Sequence, residues 1–436
     1  MLSPTIWTKL PKDEQLKLLQ RPLRGNESDY SGKVQEIINR VRSQGDVACK
    51  EMTRQYDRVD LASLEVQASE FDEARKNVSA AARSAILRVI DQLSAFHLPQ
   101  VLKDIQIETS EGVFCESKIR PIQRVGLYIP GGTAPLVSTV LMLGVPAKIA
   151  SCPIRIMCSP PQQAGTIDPN ILVAAELCGI TRVYKLGGAQ AIAAMAYGTE
   201  SIPKVDKIFG PGNSWVTQAK ILVSQDAAGA IYDLPAGPSE VMVIADSAAN
   251  PEFIAADLLS QAEHGEDSQV VLVCTDIDLS NKVSKAIARQ MEFLPRRAIA
   301  EKALKNSSSI IVDSILGAID IANEYAPEHL IMQVEEPRCY LDNIQNAGSV
   351  FLGAWSPESA GDYASGTNHV LPTYGFAKCL SGLSVRDFMK SISIQELTKD
   401  GLADIANTIR QLATIEGLDA HKNAVDIRLG GNRNAE

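Results

Sequence analysis

From residue 124 onward, seven short apolar runs recur: RVGLYIP, IRIMCSP, RVYKLGG, KIFG, SEVMVIAD, QVVLVCTD and SSIIVDS, separated by stretches with helical spacing. This alternation, which continues to about residue 335, limits the possible folds more than any other feature. Strands separated by helix-length connections pair in parallel, and the helices cover the sheet faces. Seven strands exceed what one small sheet needs, and 436 residues suffice for two or three cores. The expected class is therefore α/β, with two such domains.

The ends of the chain read differently. The first 100 residues alternate charged and apolar side chains at helical spacing, as in VQEIINRVRSQG and ARSAILRVIDQLSAFH, and read as helices lying on something larger. From about residue 381 the pattern SGLSVRDFMKSISIQELTKDGLADIANTIRQLATIEGLDAHKNAV reads as helical. This segment is too small to hold a core of its own and must pack on another domain or another subunit.

A formal charge of -10 argues against a nucleic-acid backbone or an anionic membrane as partner, because either would repel the chain. MLSPTIWTKLPKDEQ lacks the basic segment and apolar core of a signal peptide, and the apolar stretch 137–150 is interrupted by Gly144, Pro146 and Lys148. The cytoplasm is the expected location. Eight cysteines show no CxxC and no paired spacing, so they read as reduced packing residues.

Four glycine-rich turns follow strand candidates: YIPGGTAP (128–135), LGGAQAIAA (186–194), FGPGNSWV (209–216) and LPAGPSE (234–240). Loops at the carboxyl ends of parallel strands form the ligand crevice of open α/β sheets, and glycine lets main-chain amides approach anionic groups. A nucleotide cofactor fits this pattern, although none of the four matches GxGxxG.

Four of the five histidines sit in polar, glycine-bearing surroundings. NPEFIAADLLSQAEHG (250–265) predicts a helix capped by Asn250, with Pro251 at its first position and Gly265 ending it, which puts Gln261 and His264 on one face of the last turn. Asp362 and His369 lie in the loop-forming SPESAGDYASGTNHVLPT (356–373), and Glu416 and His421 in IEGLDAHKNAV (415–425). Nitrogen and oxygen donors without thiolate suit zinc or another borderline divalent ion. His97 reads as the structural close of its helix. In IANEYAPEHLIM (321–332), Glu328 and His329 form an adjacent acid/base pair between a proline and an apolar run.

The segments VGLYIPGG, LGGAQAIAA, KIFGPGN, DLPAGPSEV, DLLSQAEHG, PEHL, GDYASGTNHVLPT and GLDAHKNAV, in this order, resemble the histidinol dehydrogenase family over about residues 30–425. The resemblance implies a cytoplasmic homodimer of histidine biosynthesis, with one Zn2+ per subunit. Its reaction would carry L-histidinol through L-histidinal to L-histidine with two NAD. The implied fold has two Rossmann-like, incomplete parallel-sheet domains with helical N- and C-terminal extensions, in an intertwined dimer. Its parts would be residues 1–25 as an N-terminal arm; 26–127 with 238–380 as a first, discontinuous domain; 128–237 as an NAD-binding domain; and 381–436 as a dimerisation segment exchanged between subunits.

The resemblance assigns Glu328 and His329 as the catalytic pair, and Gln261, His264, Asp362 and His421 as metal ligands. Substrate contacts fall on Ser239, Gln261, His264, His329, Asp362, His369, Glu416 and His421, and NAD contacts on Tyr128, Gln190 and Asn213. Glu416 and His421 would come from the partner chain. Cys379, Leu380 and Ile415 depart from the family pattern without touching a proposed ligand.

The chemistry needs these residue types. Removing hydride from an alcohol carbon requires loss of the hydroxyl proton, a task suited to an imidazole with a reference pKa of about 6.5, hence His329. The aldehyde must be hydrated before a second hydride can leave, which needs a carboxylate to activate water, hence Glu328. Pro327 helps set the turn that lets adjacent residues serve one carbon. The ion can hold the substrate's imidazole and amine through both half-reactions. A zinc-dependent hydrolase of an amide or ester is the competing reading, and would turn over without NAD reduction.

Overall fold

The computed structural model describes residues 2–21, 27–131, 135–235 and 237–430. It divides into two units, Met1–Gln100 with Ile122–Phe388, and Val101–Pro121 with Met389–Glu436.

The first unit contains two parallel sheets, as the alternating pattern requires. One runs Pro4–Ile6, Ser308–Ile311, Gln269–Cys274, Glu240–Ala245, His329–Gln333, Ser349–Leu352 from edge to edge. Pro4–Ile6 adds a strand within a stretch expected to be purely helical, pairing in parallel with Ser308–Ile311. The other sheet runs Arg182–Lys185, Ile154–Ser159, Arg124–Tyr128, Lys207–Phe209, Ile231–Tyr232. Leaving out the Pro4–Ile6 edge, both sheets have the winding 3-2-1-4-5, so both are incomplete versions of the Rossmann order.

Every residue of Glu240–Ala245 and Gln269–Cys274 is buried. Val241, Val243, Val270 and Leu272 face the helices Pro251–Ala262 and Ile277–Met291, whereas Met242, Ile244, Val271 and Val273 face Ile315–Tyr325. Continuous apolar runs are what strands covered on both faces demand.

On the five-stranded sheet the helix Gly188–Tyr197 is apolar apart from Gln190 and buried from Ala189 to Ala196. It shares one core with the sheet and with Val34, Ile37, Ile38, Val41 and Met52 of the helical segment Glu27–Tyr56, which is kinked at Gly45. Its alanines present little bulk, which permits close helix–helix contact. Residues 27–56 thus join their core to the five-stranded sheet.

In the second unit, Ile105–Ser110, Val113–Pro121 and Met389–Leu397 form an antiparallel sheet, accompanied by the helices Lys399–Ile415 and Asp419–Arg428. The stretch from 389 to 397, expected to be helical, is a strand. Its KSISIQEL alternates with period two, and nearly all its side chains are exposed, so the pattern lacks the buried apolar face that marks a strand in sequence. Among the described residues no helix is long and apolar enough to cross a membrane.

Candidate active site

The helix Ile315–Tyr325 ends at Ala326, whose φ of 53° is left-handed. Pro327 cannot continue the helix, and the strand His329–Gln333 begins two residues later. PEH is therefore the seam between a helix and a buried central strand.

Both functional members of the seam are held by one residue of the neighbouring strand. The main-chain N–H of Glu240 donates to Glu328 Oε2 at 2.8 Å, and its carbonyl accepts from His329 Nδ1 at 3.0 Å. A carbonyl only accepts, so Nδ1 carries the hydrogen and Nε2 the lone pair. That Nε2 is buried without a hydrogen-bond partner among the described residues, 3.8 Å from Asp362 Oδ1. Burial pushes the Glu328 carboxyl well above the usual carboxylate range, against the pull of the Glu240 N–H and with help from the nearby Glu240 and Asp362 carboxylates. Burial also lowers the His329 imidazole, with Asp362 opposing, so the neutral form is favoured.

The side chain of Glu240 is pinned in turn. Arg21 Nε donates to its Oε1 at 2.5 Å and Nη2 to its Oε2 at 2.9 Å, while the guanidinium lies 3.9 Å from the Tyr325 ring centroid. The Tyr374 N–H adds a bond to Oε1 at 2.9 Å.

Glu328 and His329 line a cavity of about 440 Å³ that Ser239, Gln261, His264, Asp362 and His369 also line. The helix Pro251–Ala262 is capped by Asn250 as expected, but it closes at Glu263 rather than Gly265. A tighter final bond, His264 N–H to Gln261 carbonyl at 3.2 Å, takes over the ending and keeps both side chains on one face. His264 Nδ1 lies 3.0 Å from the Ser260 carbonyl, and His369 Nδ1 lies 2.9 Å from the Asp362 carbonyl. Three imidazoles around one cavity thus have Nδ1 tied to a main-chain oxygen and Nε2 left as a donor atom, the arrangement that prepares histidine for a metal.

Sequence reasoning missed Glu358. It is fully buried on the short helix Glu358–Tyr363, four residues before Asp362, and burial together with Asp362, Glu328 and Asp257 holds its carboxyl well above the usual range. Hydrogen bonding favours the Gln261 amide orientation in which its nitrogen donates to Glu358 Oε2 at 3.0 Å, leaving the amide oxygen free as a ligand. Ligand atoms of His329, Glu358 and Asp362 all lie within 4.8 Å of one another. Imidazole nitrogen, carboxylate and amide oxygen without thiolate fit a borderline divalent ion such as zinc. Glu416 and His421 belong to the second unit, where both side chains are exposed.

A second cavity, of about 740 Å³, shares Pro130 and Asn213 with the first and is lined by Tyr128 and Gln190. It lies at the carboxyl ends of the five-stranded sheet, beside the reversal between Arg124–Tyr128 and Lys207–Phe209, where α/β ligands are expected. The first cavity departs from that rule. Ser239, Ser268 and Glu328 immediately precede their strands, so the six-stranded sheet contributes amino ends.

At the second cavity Gly188 has φ 65°, and a Cβ there would lie 2.8 Å from Gln190 Oε1. Its N–H donates to the Tyr128 hydroxyl at 3.0 Å, while Asn213 Oδ1 accepts from Val216 N at 3.1 Å as the cap of the helix Ser214–Ser224. Two helix N-termini therefore open on this space, and their amides fit an anionic pyrophosphate without a GxGxxG turn. Residues 132–134 of YIPGGTAP and 236 of LPAGPSE lie outside the described residues.

Comparison with known proteins decides the family. The histidinol dehydrogenase family model matches residues 20–429. The chain belongs to the histidinol dehydrogenase family. It is 53% identical to the histidinol dehydrogenase of Vibrio parahaemolyticus over 97% of each chain, and 49% identical to that of Escherichia coli over 97% of this chain and 96% of the relative. The crystal structure of histidinol dehydrogenase from Elizabethkingia anophelis superimposes with a TM-score of 0.94 at 47% identity, covering 98% of both chains. Membership in the histidinol dehydrogenase family makes the chain an oxidoreductase of histidine biosynthesis.

Proposed function

We propose that the chain oxidises L-histidinol to L-histidine through L-histidinal, reducing two NAD, as a cytoplasmic homodimer with one Zn2+ per subunit. The observation that carries this reading is His329: its Nδ1 is locked to the Glu240 carbonyl, and its Nε2 is buried, with no hydrogen-bond partner among the described residues, at the wall of a cavity lined by a second acid/base group.

His329 Nε2 takes the hydroxyl proton of the alcohol, returns it to the carbonyl oxygen as water adds, and then takes a hydroxyl proton of the gem-diol. Glu328 takes a proton from the water that adds to the aldehyde. A carboxyl displaced upward by burial is a stronger base than an ordinary one once ionised, which suits this step. Ser239 and His369 hold the substrate, together with Glu416 and His421 from a second copy of the chain. Gln261, His264 and Asp362, with His421 of that copy, would hold zinc, which would supply a cationic anchor for the substrate's imidazole and amine, and bound NAD would supply the hydride acceptor. Tyr128, Gln190 and Asn213 contact NAD, with residues 128–237 as the cofactor domain and 381–436 as the exchanged dimerisation segment.

The test is stoichiometry. Zinc-loaded protein given L-histidinol should yield two NADH per histidine. One NADH per turnover would mean an ordinary alcohol dehydrogenase, and zinc-dependent ester or amide cleavage without NADH would mean a hydrolase.

A further inference from the structure

The cofactor cavity has a chemical asymmetry that the family assignment leaves unused. The two helix N-termini line it, and so does Asp57, the residue after the helical segment Glu27–Tyr56, whose N–H still bonds the Thr53 carbonyl at 2.9 Å. A carboxylate there meets the negative end of the helix dipole, an unfavourable place for it. The next residue, Arg58, has φ 59°, a left-handed conformation uncommon for arginine. Asp57 Oδ2 is buried without a hydrogen-bond partner among the described residues.

No structural role offsets these costs, so the carboxylate stands ready for something outside the chain. The other lining carboxylate, Asp168, is occupied: Oδ1 accepts from Asn170 N at 2.8 Å and Oδ2 from Gln162 Nε2 at 3.4 Å. Among the described residues lining the cavity there is no lysine or arginine.

We propose that Asp57 selects the dinucleotide, accepting hydrogen bonds from vicinal ribose hydroxyls and excluding a cofactor that carries a phosphate on that ribose. This rests on the reading that the cavity holds NAD. A diol offers the two donors that an isolated carboxylate lacks. A 2′-phosphate would replace a donor with about two negative charges beside an anion, with no lining cation to neutralise it. Burial raises the Asp57 carboxyl to about 6, which agrees with its lack of partners in the free protein.

The experiment compares NAD with NADP in the zinc-loaded, full-length enzyme, by calorimetric titration of each dinucleotide without histidinol, where Kd should move as KM does, and by kinetics at saturating histidinol. Asp57→Asn keeps the shape and removes the charge. It should raise KM for NAD about tenfold and shrink the NAD:NADP ratio of kcat/KM by about ten- to hundredfold, the loss appearing in cofactor KM rather than in kcat. Asp57→Glu, which keeps the charge, should retain the preference for NAD.

Gln190→Ala and Asn213→Ala separate the two layers of the claim. If they raise KM for NAD while both Asp57 variants leave KM and the ratio unchanged, the role of Asp57 is overturned and the cavity assignment stands. If none of the four changes KM for NAD, the cavity is not the cofactor site and the underlying reading fails with it.

Discussion

Glu240 and His329 are linked by one hydrogen bond: the main-chain carbonyl of Glu240 accepts the Nδ1 hydrogen of the His329 imidazole at 3.0 Å. They open neighbouring parallel strands, with His329 paired in register to Val241. The tautomer of the base is thus set by sheet pairing, and the Glu240 side chain is left free to be gripped by Arg21.

Arg21→Met should therefore act on catalysis from outside the cavity. It leaves the Glu240 carboxylate buried without its cation, a loss of about 3–5 kcal/mol by analogy with other broken buried pairs. Chemical denaturation should show that loss, and kcat should fall more than KM for histidinol. Arg21→Lys should recover only part of it, because an ammonium cannot reproduce the two-pronged contact. Wild-type stability in Arg21→Met would contradict the account.

The pH profile follows from the burial of His329. Burial lowers its pKa, so the neutral, base-competent imidazole persists to lower pH than an ordinary histidine would allow. The acid limb of kcat/KM should then have its midpoint below about 6.5. His329→Asn should remove about 10²- to 10⁴-fold of kcat while bound zinc stays at the wild-type level. A midpoint above the ordinary histidine value would assign the limb to another group.

Glu358 orients Gln261 and is not itself among the proposed ligands. Glu358→Ala should let the amide rotate and weaken zinc binding by about 10- to 100-fold, measured by competition with a chromophoric chelator. Glu358→Gln retains an acceptor oxygen and should lose less. Equal zinc affinity in wild type and Glu358→Ala would show that Gln261 needs no such support.

Sharing of the site between subunits is open to complementation. His329→Asn and His421→Asn should each be inactive alone, and mixed dimers should regain part of the activity, because one of the two shared sites would have both residues intact. No recovery after verified subunit exchange would argue that each chain completes its own site.

Much of this arrangement is legible from residue order. All seven apolar runs from RVGLYIP to SSIIVDS are strands, because buried parallel strands must be apolar on both faces. Gln261 and His264 line one cavity because an i+3 bond carries the helical turn one residue past the helix end. The antiparallel sheet of the second unit was hidden because its strands carry exposed side chains. Glu358 was hidden because two acids four apart on a short helix usually mark a solvated face. Arg21 lies 219 residues from Glu240, and no local pattern encodes such a contact. The amino-end position of the catalytic cavity was hidden as well, since local spacing does not show which end of a strand meets a ligand.

His329 is the first residue of an interior strand, bonded into its neighbours on both sides. Most enzymes keep their reactive groups on loops that can loosen while the body stays intact. Here the proposed proton acceptor cannot drift without unzipping a ladder that also holds the hydrophobic interior, so thermal inactivation and global melting should become one event.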